Sequence, residues 1–181
     1  MDRNNSMAIL KIAKMGHPIL RKKAKKVKDP SSKDVKLVVR DMLETLEDLG
    51  ENGIGIAAPQ VHVSLQIIIF EVRVEDSEIA NNIPLTVLIN PKIKILTKKT
   101  NTDWEGCLSV PGLRGRVKRP NKIKYSGFDL NGNKIETIAE GFHARVVQHE
   151  FDHLIGILYP QRMEDITSLQ FVCEARHTTE S

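Results

Sequence analysis

Two histidines of this sequence, His149 and His153, lie four positions apart. On an α-helix, side chains four residues apart lie on the same face, so both imidazoles can bind one divalent metal ion. Glu150 directly follows the first histidine, and its carboxylate remains available for proton transfer. Catalytic metal sites usually have three protein ligands, so another part of the chain must supply one. The spacing is also compatible with a surface helix that carries two unrelated histidines.

Two helices are predicted from the spacing of apolar residues. In residues 34–49, valine, leucine and methionine recur at intervals of three and four, which predicts an amphipathic helix. Ser31 or Ser32 would cap its N-terminus, and Gly50 would follow its C-terminus. A second helix, residues 140–156, carries the two histidines and has apolar residues on more than one side, so we expect it to be buried.

The region between the helices is predicted to consist of β-strands and surface loops. Asn131 and Gly132 favour a hairpin turn because both tolerate positive φ. The predicted strands are residues 63–72, one or two within 85–96, 122–130 and 134–138, with 169–173 slightly favoured as a strand, and the predicted loops are 73–84 and 98–103. We therefore predict an α+β fold in which antiparallel β-sheets pack around a central metal-binding helix, with a second helix near the N-terminus.

The length of 181 residues predicts a single domain. We expect residues 1–6 to be a loose N-terminal extension and residues 7–181 to form one catalytic domain. The chain has no apolar run near 18 residues, which argues against a transmembrane helix, and no secretory signal. Its two cysteines give no disulfide framework and favour a reducing compartment.

The net charge of +4 comes partly from a basic run at residues 21–28. Such a run is usually a solvated loop, and the alternative is contact with a polyanion such as RNA. Aromatic residues make up 4% of the chain and none lies within the run, so a module that stacks single-stranded bases is not expected.

A glycine-rich segment, residues 53–60, reads Gly-Ile-Gly-Ile-Ala-Ala-Pro-Gln. It lacks the Gly-Lys-Ser/Thr ending of a phosphate-binding loop. Small residues at half of its positions instead indicate that the backbone passes close to another part of the molecule.

Residues 105–109, Glu-Gly-Cys-Leu-Ser, contain a candidate third metal ligand, Cys107. A thiolate and two neutral imidazoles can hold a divalent metal and leave a fourth position for water, as catalytic sites require. An isolated cysteine is more often a small buried hydrophobe, so the pattern by itself leaves both interpretations open.

Taken together, three segments resemble the peptide deformylase family, whose members remove the formyl group from N-terminal formyl-methionine. The family motifs Gly-x-Gly-x-Ala-Ala-x-Gln, Glu-Gly-Cys-Leu-Ser and Gln-His-Glu-x-Asp-His occur here complete and in order, at residues 53–60, 105–109 and 148–153. The resemblance extends over about residues 7–165. It implies a hydrolase that releases formate from newly synthesised polypeptides.

The resemblance also implies a metal centre and an acid/base residue. Cys107, His149 and His153 would bind the metal, and Glu150 would take a proton from the attacking water and pass it to the leaving amine. The family metal is usually ferrous iron, although zinc, nickel or cobalt can occupy the site. The ligand set alone would suit zinc equally well.

The remaining roles implied by the resemblance concern the substrate. The Gln60 side-chain amide and the Leu108 backbone N–H would stabilise the developing oxyanion, and the Gly55 backbone would contact the substrate. Glu105 and Asp152 would orient ligands or anchor loops, although a structural ion pair is an equally good interpretation for Asp152.

The expected partners are N-formylmethionyl nascent peptides, with a transient ribosome contact through residues 21–28 and no membrane. The expected compartment is the cytoplasm of a bacterium or an organelle matrix. Two rival hypotheses are a zinc protease that uses the His-Glu-x-x-His helix, and a non-catalytic relative with a structural metal or a basic RNA-associated module. The other histidines lack ligand spacing, and Trp104 would be a packing residue or part of a pocket wall.

Overall fold

The computed structural model describes residues 9–50, 53–72 and 82–177, which contain two α-helices and eight β-strands. The helices are α1 (Lys33–Asp48) and α2 (Gly141–Leu154). The strands are β1 (Gly55–Ala57), β2 (Ile67–Val72), β3 (Ile83–Ile95), β4 (Thr100–Cys107), β5 (Val110–Pro120), β6 (Lys122–Phe128), β7 (Lys134–Glu140) and β8 (Gln170–Phe171). The predicted α+β class is confirmed.

Helix α1 agrees with the prediction at both ends. The Ser32 hydroxyl accepts a hydrogen bond from the Val35 N–H at 3.4 Å and caps the N-terminus. Gly50 follows the last turn with φ of +57°, a conformation that costs glycine little. The fully buried residues Val39 and Met42 lie on one apolar face, as the periodicity predicted.

The first four residues of strand β2, residues 67–70, are buried on both faces of the strand. The five-stranded sheet has the order β1-β2-β3-β6-β7, with antiparallel pairing throughout. Ile67 and Ile69 belong to the core formed with α1, whereas Ile68 and Phe70 belong to the core formed with α2. Because successive side chains of a strand face opposite sides, each helix covers one face of the sheet.

A second, three-stranded sheet has the order β4-β5-β8 and carries the Glu-Gly-Cys-Leu-Ser segment. Its apolar face packs around Val110, Val117, Leu158 and Tyr159. The helix α2 therefore lies between this sheet and the five-stranded sheet, which is the central position expected for the metal-binding helix.

Several predicted loops and strand limits were wrong. Residues 100–103 are not a loop, because they pair with residues 117–120 in the β4–β5 ladder. The prediction of one or two strands within 85–96 is confirmed as one strand, but this strand begins at Ile83. It has a register shift after Ile89, where Asn90 has φ of +52°. The predicted strand 63–72 begins only at Ile67.

The hairpin of β6 and β7 is confirmed, and Gly132 at its turn has φ of +80°. The C-terminal strand β8 is shorter than predicted, and a 3-10 helix, Val172–His177, follows it. The predicted extension 1–6 and most of the predicted loop 73–84 lie outside the described residues. No helix within the described ranges is long and apolar enough to cross a membrane.

Candidate metal centre and active site

Three side chains from two separate elements meet beside α2. Cys107 is the last residue of β4, whereas His149 and His153 lie on α2. Their ligand atoms all lie within 4.8 Å of one another, and the Cys107 Sγ is 3.4 Å from the His153 Nε2. The structure thus brings Cys107 to the histidine pair that lacked a third ligand. Within the described part of the chain, no other group of three such side chains converges in this way.

The orientation of the two rings fits a divalent transition metal. The His149 Nδ1 lies 2.9 Å from the Glu105 Oε2, so its Nε2 is the nitrogen left for a metal. His153 presents its Nε2 towards Cys107, while its buried Nδ1 has no hydrogen-bond partner among the described residues. One thiolate and two imidazoles match the three-ligand donor set of a catalytic site, and a cavity opens beside Cys107 and His149.

The pKa values of the two histidines are shifted in opposite directions. Burial lowers the pKa of His153 well below its usual value, so its ring is neutral and ready to bind a metal. Burial opposes protonation of His149 as well, but hydrogen bonds with Cys107 and Glu105 raise its pKa well above the usual value. Because a ligating imidazole must be deprotonated, metal binding at this site should release a proton.

Glu150 follows His149 on α2 and lines the same cavity as Cys107 and His149. Burial raises the pKa of its carboxyl to about 7, and its Oε2 has no hydrogen-bond partner within the described ranges. Gly55 faces this carboxylate, and a Cβ at that position would lie 2.5 Å from the Glu150 Oε1. The close approach that the small residues of 53–60 indicated is therefore to Glu150 at Gly55, and to the Leu46 carbonyl of α1 at Gly53.

Gln60 is 1% exposed and lies in the 3-10 helix Ala58–Val61 that follows β1. Its Oε1 accepts a hydrogen bond from the Ala57 N–H at 2.8 Å, which fixes the orientation of the amide. The Nε2 consequently points towards the candidate ligand Cys107, 3.6 Å from its Sγ, and donates to the Ser109 Oγ at 3.2 Å.

Leu108 lies in the tight turn between β4 and β5, directly after Cys107, and lines the cavity. Two contacts from the N-terminal segment hold this turn. The Lys14 Nζ donates to the Leu108 carbonyl at 2.9 Å, and the Met15 N–H donates to the Ser109 carbonyl at 2.7 Å. The backbone amide of Leu108 is thereby presented from a fixed turn.

A buried ionic cluster lies behind the metal ligands. Glu105 accepts two hydrogen bonds from Arg119, at 2.7 and 2.9 Å, and one from Arg145 at 2.7 Å. Burial opposes ionisation of Glu105, but the hydrogen bonds from Arg119 and His149 hold its pKa well below the usual range. Asp152 accepts a 2.7 Å hydrogen bond from Arg119 and does not contact a ligand directly, so the ion-pair interpretation describes its position.

The arginines Arg119 and Arg145 were not identified from the sequence, although weak signals exist. Arg119 lies two positions after the buried Val117 and therefore on the same face of β5. Arg145 lies four positions before His149, on the same face of α2. A charged residue on a buried face needs a partner. This rule could have marked Arg145 on the predicted buried helix, whereas Arg119 lies in residues 110–120, where no strand was predicted.

A cavity of about 510 Å³ opens in front of the ligands. Its apolar walls include Ile54, Leu113, Phe142 and Val146. Trp104 also lines it, and the Arg114 guanidinium lies 4.3 Å above the centre of the indole ring. Trp104 thus acts both as a packing residue and as part of the pocket wall.

The other predicted non-ligand residues lie away from this centre. His17 and His62 contact each other edge to face, with ring centroids 4.7 Å apart, and His143 lies 3.4 Å from the Tyr125 hydroxyl. Cys173 is an exposed free thiol. The side chain of His177 is outside the described part of the chain.

Comparison with known proteins identifies relatives across most of the chain. Residues 9–168 match the family model described as polypeptide deformylase. Peptide deformylase 1 of Nitrosomonas europaea is 47% identical over 159 residues, which are 86% of this chain and 88% of the relative. Peptide deformylase 2 of Ralstonia nicotianae is 48% identical over 161 residues, 88% of this chain and 90% of the relative.

Solved structures give the same result. A class I type b peptide deformylase from Acinetobacter baumannii with bound Met-Ala-Ser is 37% identical, with a TM-score of 0.80 over 87% of this chain and all of that chain. A peptide deformylase from Synechococcus elongatus in complex with actinonin is 36% identical, with a TM-score of 0.76 over 92% of this chain and 85% of that chain. These matches favour hydrolysis of a formyl amide over the zinc-protease and non-catalytic hypotheses.

Proposed function

This chain belongs to the polypeptide deformylase family, which removes the N-terminal formyl group from nascent peptides, and we propose that the residues matched to the family motifs perform that reaction here. One observation carries the assignment of roles. Cys107, His149 and His153 converge within 4.8 Å, and Glu150, Gln60 and Gly55 line the same cavity.

Cys107, His149 and His153 would hold one divalent metal ion, which polarises a carbonyl oxygen and lowers the pKa of water when it is bound. We propose ferrous iron in the cell, with zinc, nickel or cobalt as substitutes. The oxidisable Cys107 thiolate would then make the iron form sensitive to oxygen. Protein purified anaerobically should contain stoichiometric iron and lose it with activity on aeration, and stable activity of the aerated iron form would contradict this assignment.

Glu150 is the residue that transfers the proton of the attacking water in the proposed hydrolysis of the formyl amide. A carboxyl with a pKa of about 7 can accept a proton from the attacking water and return it to the leaving nitrogen near neutral pH. Gly55 keeps the space beside the carboxylate clear, because any side chain there would meet the Glu150 oxygens. The products are formate and a peptide whose N-terminal methionine has a free amino group.

Gln60 and Leu108 stabilise the charge that develops on the formyl oxygen. The Gln60 amide is held by Ala57 with its N–H groups towards Cys107, and the Leu108 N–H comes from the adjacent turn. Donors fixed before the reaction need no reorganisation when the oxyanion forms. The Gly55 backbone contacts the peptide, and the apolar cavity walls receive the methionine side chain.

The deciding experiment measures formate release from formyl-Met-Ala-Ser by metal-loaded protein. Glu150→Gln keeps the shape of the side chain but cannot accept the proton, so we expect kcat to fall by roughly 10²–10⁴-fold with little change in product binding. Glu140→Gln, an exposed substitution at the start of the same helix, is the matched control. Absence of formate from wild type, or wild-type turnover by Glu150→Gln, would overturn the proposal.

We also propose that residues 21–28 contact the ribosome, and that the protein works where translation starts with formyl-methionine, in a bacterial cytoplasm or an organelle matrix. The lysine side chains of this segment are exposed, while Ala24 and Val27 anchor its backbone in the core. Because the backbone is held at Ala24 and Val27, the exposed lysines project from one stretch of the protein surface, which supports the proposal.

Neutralising Lys22, Lys23 and Lys26 to Gln should weaken ribosome co-sedimentation, with a reduced salt dependence. The control neutralises three exposed lysines elsewhere, Lys92, Lys94 and Lys98. Equal co-sedimentation of the two triple variants would remove the proposal.

A further inference from the structure

The metal ligands come from two elements that do not share a hydrogen-bond ladder. Cys107 ends β4 in the three-stranded sheet, whereas His149 and His153 lie on α2. A functional metal site tolerates displacements of only about 0.5 Å. The structure must therefore contain contacts that fix α2 relative to the β4–β5 hairpin.

Arg145 makes such contacts from the helix side. Its side chain is 5% exposed, and it reaches both strands of the hairpin. The Nη1 donates to the Glu105 Oε1 at 2.7 Å and to the Val117 carbonyl at 2.8 Å, and the Nη2 donates to the Asn101 carbonyl at 2.8 Å. One planar guanidinium thus joins α2 to β4 twice and to β5 once.

The same guanidinium acts on a metal ligand through a single intermediate. Glu105 accepts from Arg145 through one oxygen and faces the His149 Nδ1 at 2.9 Å through the other. The partner of a ligating histidine fixes its tautomer and ring orientation. Because Arg145 holds the carboxylate, it limits the positions that the His149 ring can take.

Arg119 and Arg145 make different contributions to Glu105. Arg119 forms a two-bond ion pair with Glu105 and also bonds Asp152, so it neutralises the buried carboxylates. Arg145 adds a third bond from α2 itself, together with two backbone carbonyls. Loss of Arg145 would leave Glu105 linked to α2 only through the Arg119–Asp152 pair and through His149. It would also remove both bonds from α2 to the Val117 and Asn101 carbonyls of the hairpin.

We propose that Arg145 is a positioning residue of the metal centre, which sets the His149 ring through Glu105 and the spacing of α2 from the hairpin that carries Cys107. This inference rests on the proposed assignment of Cys107, His149 and His153 as metal ligands. It gives Arg145 a role in metal affinity that packing alone would not require.

The test measures the dissociation constant of Zn²⁺ by chelator competition in wild type and in Arg145→Met, which keeps an unbranched apolar stem. Substitutions behind a ligand typically weaken metal binding by 10–100-fold, and we expect a loss in that range. The absorption spectrum of the Co²⁺-loaded variant should also shift, because it reports the ligand geometry around the metal. Arg145→Lys keeps the charge but not the planar guanidinium, so its Zn²⁺ affinity should lie between those of wild type and Arg145→Met.

The matched control is Arg162→Met, which removes an arginine that bonds Asp152 and does not contact Glu105. We expect its Zn²⁺ affinity to remain within about twofold of wild type, since no ligand partner is lost. Equal affinities for wild type and Arg145→Met, with unchanged Co²⁺ spectra, would overturn the inference. If Arg145→Met does not fold, wild-type affinity and spectrum in Arg145→Lys would overturn it, whereas failure of wild type to bind Zn²⁺ would instead overturn the ligand assignment.

Discussion

Helices α1 and α2 cover opposite faces of the same strand, β2, but they bury different kinds of side chain. The buried residues of α1 are apolar except for Thr45, whose hydroxyl donates to the Asp41 carbonyl. The buried residues of α2 include Arg145, Gln148, Glu150, Asp152 and His153. Each helix covers one face of the sheet, but only α2 contains candidate metal-binding and catalytic residues.

The difference shows how the fold supports a polar centre. Burying a polar or charged group costs free energy unless it is paired, and α2 carries two buried atoms without a partner in the described residues, the Glu150 Oε2 and the His153 Nδ1. The α1 side has a continuous apolar contact with Ile67, Ile69 and Ile89. The apolar burial of α1 therefore offsets the free-energy cost of the buried polar groups on α2. Substitutions on α1 should consequently change stability, whereas substitutions on α2 should change activity.

The largest expected effect on stability comes from α1. Met42 is fully buried, and Met42→Ala should lower the free energy of unfolding by about 2–5 kcal/mol because it leaves a cavity. Urea unfolding of the metal-loaded protein measures this loss. Leu37→Ala, at a half-exposed position of the same helix, is the control and should cost no more than about 0.5 kcal/mol. A changed Zn²⁺ affinity in Met42→Ala would show that the packing of α1 affects the metal centre, which would contradict this division between stability and activity.

The next effect comes from Glu150 on α2. Replacing Glu150 should raise the free energy of unfolding at high pH, whereas Met42→Ala lowers it. In the metal-free protein the pKa of Glu150 is raised from 4.5 to about 7, so the folded state binds more protons between these pH values. The Glu150 contribution to stability is therefore fully present below pH 4.5 and is lost as pH rises through about 7. The loss amounts to roughly 3 kcal/mol at pH 8, from 1.36 kcal/mol for each pKa unit.

Glu150→Gln removes this pH dependence, because an amide does not titrate. Metal-free Glu150→Gln should be more stable than wild type at pH 8 and close to it at pH 4.5, as measured by urea unfolding at both pH values. Glu140→Gln provides the exposed control on the same helix. If wild type and Glu150→Gln lose stability in parallel as pH rises, Glu150 is not the buried titrating group.

The two helices also show what sequence reasoning can reach. Local signals were sufficient for α1, for α2 and for the turn at Gly132, because caps, periodicity and positive φ are properties of neighbouring residues. Residues 100–103 have no such signal, since their extended form depends on pairing with β5. Secondary structure that is fixed by a distant partner was therefore predicted wrongly.

The site residues show the same difference between local sequence signals and tertiary packing. His149, Glu150 and His153 were predicted as site residues from their spacing within one helix, and Cys107 was a candidate from its own segment. Arg119 and Arg145 were missed because each meets Glu105 across the interface between α2 and the hairpin. The residues that bear chemistry follow local motifs, whereas the residues that hold them in place depend on tertiary packing.

The smallest effect decides a point that the sequence left open at the start of α1. Ser32, not Ser31, accepts the hydrogen bond from the Val35 N–H, so Ser32→Ala should cost about 0.5–2 kcal/mol. Ser31 is the matched control, because its hydroxyl donates to the exposed Asp29 and its loss should cost only about 0.5 kcal/mol or less. Urea unfolding of the two variants measures both values, and formate release should be unchanged in each because α1 lies across the sheet from the metal centre. A larger loss in Ser31→Ala would move the cap by one residue, and reduced turnover in Ser32→Ala would show that the two faces of β2 are coupled.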